Sequence, residues 1–233
     1  MSDRIIQAEK SIVWAADVMP DKFKDIVQQL GNTGLGAIKL GFQVGYGLGL
    51  EKAVDMVREV DSELPVIFDH QKAGNDIPDT GKNFARTMKL GNVDAAILFP
   101  FTGDDVEERW IQELQEQDIN VIVGAEMTHE GIRSRIRDIA FEDIFIQAFK
   151  YGVCDFVVPG NKPASVTHWR GLFDSELGEG NYDLYAPGFV AQGGEITEAG
   201  QVAGPRFHAI VGRGIHDAEN PRSAVQEMIS GLQ

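Results

Sequence analysis

Short apolar runs alternate along the chain with longer segments of helical periodicity, and eight such pairs follow one another. The runs predict strands over Ile12 to Ala16, Ala37 to Leu40, Val66 to Phe68, Ala95 to Phe99, Val121 to Ala125, Phe156 to Val158, Leu184 to Ala186 and His208 to Val211. Most are hydrophobic throughout, the pattern of parallel strands covered on both faces. Between them the spacing of apolar positions predicts helices such as Lys22 to Leu30, Leu48 to Val60, Gly81 to Leu90, Val106 to Gln117, Phe141 to Tyr151, Ser165 to Phe173 and Ser223 to Leu232. Strand–helix repetition of this kind builds right-handed βαβ units. Eight units with no Gly-x-Gly-x-x-Gly turn after the first strand favour closure into an α/β (β/α)8 TIM barrel over an open, doubly wound sheet. No linker or low-complexity tract divides the chain, so residues 1–233 are expected to form one barrel domain.

Composition changes that picture little. A hydrophobic share of 43% and a charged share of 24% suit a globular protein with a large core. The net charge of -15 disfavours nonspecific binding to nucleic acid or to an anionic membrane surface. Cys154 is the only cysteine, which excludes an intrachain disulfide and fits a reducing cytoplasm. No signal core opens the sequence and no apolar stretch approaches the roughly 18 residues of a membrane helix, so a soluble cytoplasmic protein is expected.

In a barrel the residues just after each strand converge on one face and can be read as one site. The stretch from Val66 to Thr80 is the richest of these: an apolar strand empties into Asp69, Lys72 and Asp76 before Pro78 opens a helix. Two carboxylates and an ammonium gathered there set a strong local field, although a solvated charge cluster on a loop would look the same. Asp17 follows the first strand, Lys39 lies near the end of the second, and Glu126 and Thr128 follow the fifth. After the seventh and eighth strands come Pro187-Gly188 through Gln192-Gly193-Gly194, and Gly212-Arg213-Gly214. Glycines that let backbone N–H groups approach an anion, with Arg213 as a bidentate fork, suit a phosphate cradle at the place where barrels bind phosphate. The five histidines show no His-x-x-x-His spacing, which leaves a metal site without support.

Taken in order, Ala16-Asp17, Ile38-Lys39-Leu40-Gly41, Asp69, Lys72, Asp76-Ile77-Pro78, Ala125-Glu126-Met127-Thr128-His129, Gln192-Gly193-Gly194, Ile210-Val211-Gly212-Arg213 and Asn220-Pro221 resemble the orotidine 5'-phosphate decarboxylase family over nearly the whole chain. The resemblance implies cofactor-free, metal-free decarboxylation of orotidine 5'-monophosphate to uridine 5'-monophosphate in pyrimidine biosynthesis. It implies a catalytic tetrad of Lys39, Asp69, Lys72 and Asp76, and a homodimer in which Asp76, Ile77 and Thr80 cross to the partner's site. It further implies that Asp17 binds the ribose, that Thr128 meets the pyrimidine where the family usually has serine, and that Pro187 lines the pocket. Gln192, Gly193, Gly212 and Arg213 would hold the phosphate.

The family's usual Asp-x-Lys-x-x-Asp-Ile is lengthened here to Asp69-His70-Gln71-Lys72-Ala73-Gly74-Asn75-Asp76-Ile77, one more residue on each side of the lysine. Side chains alternate along extended backbone, so Lys72 faces the site only if the loop bulges, and Gly74 suits such a bulge. Two other readings follow from a phosphate-binding barrel with an altered loop: a metal-dependent sugar-phosphate decarboxylase or aldolase, and a catalytically silent nucleotide binder.

Overall fold

The computed structural model describes residues 4–134, 136–189 and 200–232. Eight parallel strands close a barrel in chain order: β1 (Lys10–Ala16), β2 (Ala37–Gly41), β3 (Val66–Ala73), β4 (Ala95–Leu98), β5 (Asn120–Gly124), β6 (Asp155–Val157), β7 (Asp183–Pro187) and β8 (Phe207–Val211). The closing seam sets Lys10 opposite Phe207 and Trp14 opposite Val211. The helices around the barrel are α1 (Pro20–Leu30), α2 (Phe42–Leu48), α3 (Leu50–Val60), α4 (Thr80–Leu90), α5 (Asp104–Glu116), α6 (Asp138–Lys150), α7 (Pro163–Glu176), α8 (Arg213–His216) and α9 (Pro221–Ser230). None of these helices is long and apolar enough to cross a membrane.

Alternation along β1 separates two cores. Ile12, Trp14 and Ala16 face the helices, where Trp14 stacks on Phe23 of α1 at 5.8 Å between ring centroids. Val13 and Ala15 point inward and join Ile67, Ile97, Ile122, Val157 and Ile210. Both faces are apolar, which is why the strands read as unbroken hydrophobic runs. At the N-terminal ends of the strands Asp183 accepts hydrogen bonds from Arg4 and Arg206 at 2.6 and 2.7 Å. It also lies 2.8 Å from Nε2 of His208, whose Nδ1 is 2.9 Å from the Ser11 hydroxyl. This buried network pins β7, β8 and β1 together at the barrel floor.

Two elements differ from the hydrophobic pattern. The helix expected from Leu48 to Val60 is two helices, α2 and α3, because Gly49 takes a φ of 85° between them, a left-handed conformation that glycine adopts without Cβ strain. The strand expected to stop at Phe68 runs on to Ala73 as β3, with its ladder to β4 broken. Phe68 pairs with Ala96 and the next pair is Ala73 with Leu98, so residues 69–72 stand opposite Ile97 alone. The surplus must leave the sheet plane, and it is the surplus that carries the charged residues.

Candidate active site

Lys39 lies at the centre of the charged cluster. It is 5% exposed, and its Nζ donates to Oδ2 of Asp69 at 2.9 Å and to both carboxylate oxygens of Asp17 at 3.3 Å. Burial alone would push the ammonium down, but the two carboxylates outweigh it and hold Lys39 above its ordinary range. The same pairing holds Asp69 below the usual carboxylate range against its own burial, with Lys72 adding to the effect. The ends of β1, β2 and β3 therefore deliver one ion-paired triad. Removing Lys39 would strip the buried Asp69 of its ion-pair partner, at a cost of about 3–5 kcal/mol.

The bulge in β3 presents the remaining residues. Gln71 and Lys72 have φ of 61° and 83°, and Gly74 has 93°. A non-glycine residue held in the left-handed region costs about 1–3 kcal/mol, so surrounding bonds must hold the turn. The backbone N–H of Gln71 donates to Oδ1 of Asp69 at 2.8 Å, and its side-chain amide donates to Oδ1 of Asp17 at 3.3 Å. Asn75 donates to the carbonyls of Lys72 and Phe99 at 2.6 and 2.8 Å and accepts from the N–H of Phe101 at 2.9 Å. Lys72 emerges with Nζ 4.3 Å from the centroid of the Phe99 ring. Burial, aided by the charge of Lys39, outweighs Asp69 and Asp17 and lowers the Lys72 pKa, so this ammonium holds its proton less firmly than Lys39 does.

These groups open on a cavity of about 400 Å³ at the C-terminal ends of the strands. Of the residues singled out in the sequence, Asp17, Lys39, Asp69, Lys72, Thr128, Pro187, Gly212 and Arg213 all line it. Gln192 and Gly193 lie outside the described residues. Asp76, Ile77 and Thr80 are not on this wall. The Asp76 carboxylate accepts the N–H of Ile77 at 2.8 Å, Ile77 is 62% exposed, and Asp76 and Thr80 line a neighbouring hollow that shares Lys72 with the cavity. Sequence reasoning passed over Gln71, Ile97, Phe99, Val157, Ile210 and His216, which also line the cavity. Inward alternation on β4, β6 and β8 could have found the apolar ones, and the extra loop residues pointed to Gln71. Among the described residues no three His, Cys, Asp or Glu side chains are placed to hold a metal ion.

The Thr128 wall is held from behind. Glu126, 1% exposed just after β5, accepts from Trp169 Nε1 at 2.9 Å, Arg133 at 2.8 Å, Ser165 at 3.3 Å and Lys162 at 3.4 Å. Lys162 also donates to the carbonyl of Met127 at 3.2 Å, and Asn161 to that of Thr128 at 3.3 Å. These donors hold Glu126 ionised against its burial. An apolar slot with cations and carboxylates on one side and a glycine–arginine turn on its rim can seat a flat ring, grip an anionic end and pass a proton to the ring.

Comparison with known proteins agrees with that reading. The family model described as "Orotidine 5'-phosphate decarboxylase / HUMPS family" matches residues 10–228. The curated orotidine 5'-phosphate decarboxylase of Pyrococcus abyssi is 31% identical over 226 residues, covering 95% of this chain and 99% of its own. That of Methanosarcina barkeri is 30% identical over 191 residues, 82% of each chain. The crystal structure of the Methanocaldococcus jannaschii orotidine 5'-monophosphate decarboxylase, complexed with the inhibitor BMP, superposes with a TM-score of 0.84 at 25% identity, covering 97% of this chain and 99% of that one. With its model spanning nearly all of the barrel, the chain belongs to the orotidine 5'-phosphate decarboxylase / HUMPS family.

Proposed function

We propose that the cavity decarboxylates orotidine 5'-monophosphate to uridine 5'-monophosphate, with Lys72 as the proton donor, which makes the protein a carbon–carbon lyase of cytoplasmic pyrimidine biosynthesis. The observation that carries this reading is the charged triad of Lys39, Asp17 and Asp69 beside Lys72 in an apolar slot with Arg213 on its wall. The bond between the ring and its carboxylate breaks, carbon dioxide leaves, and the electron pair stays on the ring carbon. The Lys72 ammonium stabilises that carbanion and then transfers its proton to it. Asp69 stands where the departing carboxylate would lie. Asp17 takes the ribose hydroxyls, Thr128 the pyrimidine edge, Pro187 the ring face, and Gln192, Gly193, Gly212 and Arg213 the phosphate. Grip on a phosphate remote from the reacting carbon supplies binding energy that seats the ring.

We also infer a two-fold homodimer in which Asp76, Ile77 and Thr80 enter the partner's cavity. Support comes from their place: Asp76 and Ile77 are exposed just before α4, half-exposed Thr80 opens that helix, and none of the three lines the cavity of its own chain. Lys72, desolvated and repelled by Lys39, would gain a carboxylate from Asp76 of the partner subunit, and an opposite charge at close range raises an ammonium pKa. The drawn reaction needs neither metal nor cofactor. Carbon dioxide release from orotidine 5'-monophosphate, measured with and without a chelator, is expected to proceed equally in both. Loss of turnover to the chelator would move the chain to the metal-dependent sugar-phosphate branch, and nucleotide binding without turnover would make it a silent binder.

A further inference from the structure

The residue that makes the lengthened β3 loop workable is Asn75. One carboxamide makes three bonds there: its nitrogen donates to the carbonyls of Lys72 and Phe99, and its oxygen accepts from Phe101. The first two join the backbones of the two residues whose side chains meet as ammonium and ring. Lys72 sits at a φ of 83°, and its own peptide carbonyl is one of those that Asn75 grips. With an extra residue on each side of the lysine, Gln71 holds the turn on the near side through Asp69 and Asp17, and Asn75 holds it on the far side through the lysine's own carbonyl. A second tether, Thr102 donating to the carbonyl of Gly74 at 3.2 Å, holds the loop as well but touches neither Lys72 nor Phe99.

We propose that Asn75 is a positioning residue of the decarboxylation, tying Lys72 to Phe99 so that the ammonium stays at the cavity wall and aims at the reacting carbon. The assignment rests on Lys72 acting as proton donor in this cavity. Asp69 on β3, Asp17 just after β1 and Lys39 on β2 act on that ammonium, and the bonds of Asn75 go to Lys72, Phe99 and Phe101 instead.

The test uses the full enzyme and the variants Asn75→Ala, Asn75→Asp, Thr102→Val and Lys72→Ala, with turnover of orotidine 5'-monophosphate and binding of uridine 5'-monophosphate measured on each. Asn75→Ala is expected to lower kcat about 100-fold, the scale of a 1 Å misplacement of a reacting group, while product affinity stays within about threefold. The limb of the kcat–pH profile that reports Lys72 should also move, since a released side chain regains water. Asn75→Asp keeps the size and the acceptor but loses both donations, so it should be impaired too and serves if the alanine variant does not fold. Thr102→Val should leave both readouts unchanged. Wild-type kcat in Asn75→Ala, or in Asn75→Asp if the alanine variant does not fold, or the same loss in Thr102→Val, overturns the proposal. If the native enzyme does not turn over, or Lys72→Ala does so normally, the decarboxylase reading or the donor assignment falls and the proposal with it; if both behave as expected, a normal Asn75→Ala refutes the positioning role alone.

Discussion

Lys39 and Lys72 share one pocket wall and differ in what surrounds the nitrogen. Two carboxylates within 3.3 Å fix the charge of Lys39, whereas Lys72 has an aromatic face and a neighbouring cation, which suits the first to hold a field and the second to give up a proton. Arg213, at the first position of α8, lines the same cavity. Arg213→Ala is expected to weaken uridine 5'-monophosphate binding by about 2–4 kcal/mol while leaving uridine nearly unaffected. Calorimetry on the two ligands checks it, and equal losses for both would remove the arginine from the phosphate. The charged cavity residues were readable in the sequence because a barrel brings strand ends together whatever their separation along the chain. Environment was not readable. Glu107 stands among the acids that open α5, where sequence alone shows no difference between them, yet it is 1% exposed, and burial with Asp104 nearby pushes it up to about 9. Glu126 read as one more strand-end acid, and only the fold shows four donors converging on it.

At the scale of elements, periodicity recovered every strand, since apolar runs covered on both faces leave a clear signal. It failed where backbone conformation decides: Gly49 splits one periodic stretch into α2 and α3, and β3 outruns its apolar segment because its last residues pair through a bulge and not through hydrophobicity. That same bulge sends residues 74–80 away from their own cavity, so the dimer can be tested by mixing subunits. A two-fold interface repeats each contact, so a heterodimer of Lys72→Ala and Asp76→Ala chains gathers both lesions in one site and leaves the other intact. The mixed dimer should recover about half the activity per dimer from two inactive parents. If subunit exchange is verified and activity stays absent, Asp76 works within its own chain.

The whole molecule was legible as a count of eight strand–helix pairs, and that count already implied closure between the first and last strands; the register of that joint was not legible, because no local pattern marks which residues will face each other. That joint sets the order in which the protein can assemble. Ser11 and His208, which meet across it, are 197 residues apart in sequence, so a chain growing from the ribosome carries β1 with an unpaired edge until almost all the other strands have emerged. Contacts of such separation form late, since loop-closure entropy is lost before they give anything back. A weakened seam should then let the barrel open sooner without delaying its formation. Ile210→Val, a loss of about 0.5–1.5 kcal/mol inside β8, is expected to raise the unfolding rate by about 2- to 13-fold and leave the refolding rate unchanged in stopped-flow denaturant jumps. Slower refolding with an unchanged unfolding rate would instead place the seam in the folding nucleus. The same seam makes the last strand a latch: until β8 docks, the glycine–arginine turn that follows it has no fixed place, so a nascent or clipped barrel lacks one wall of the cavity.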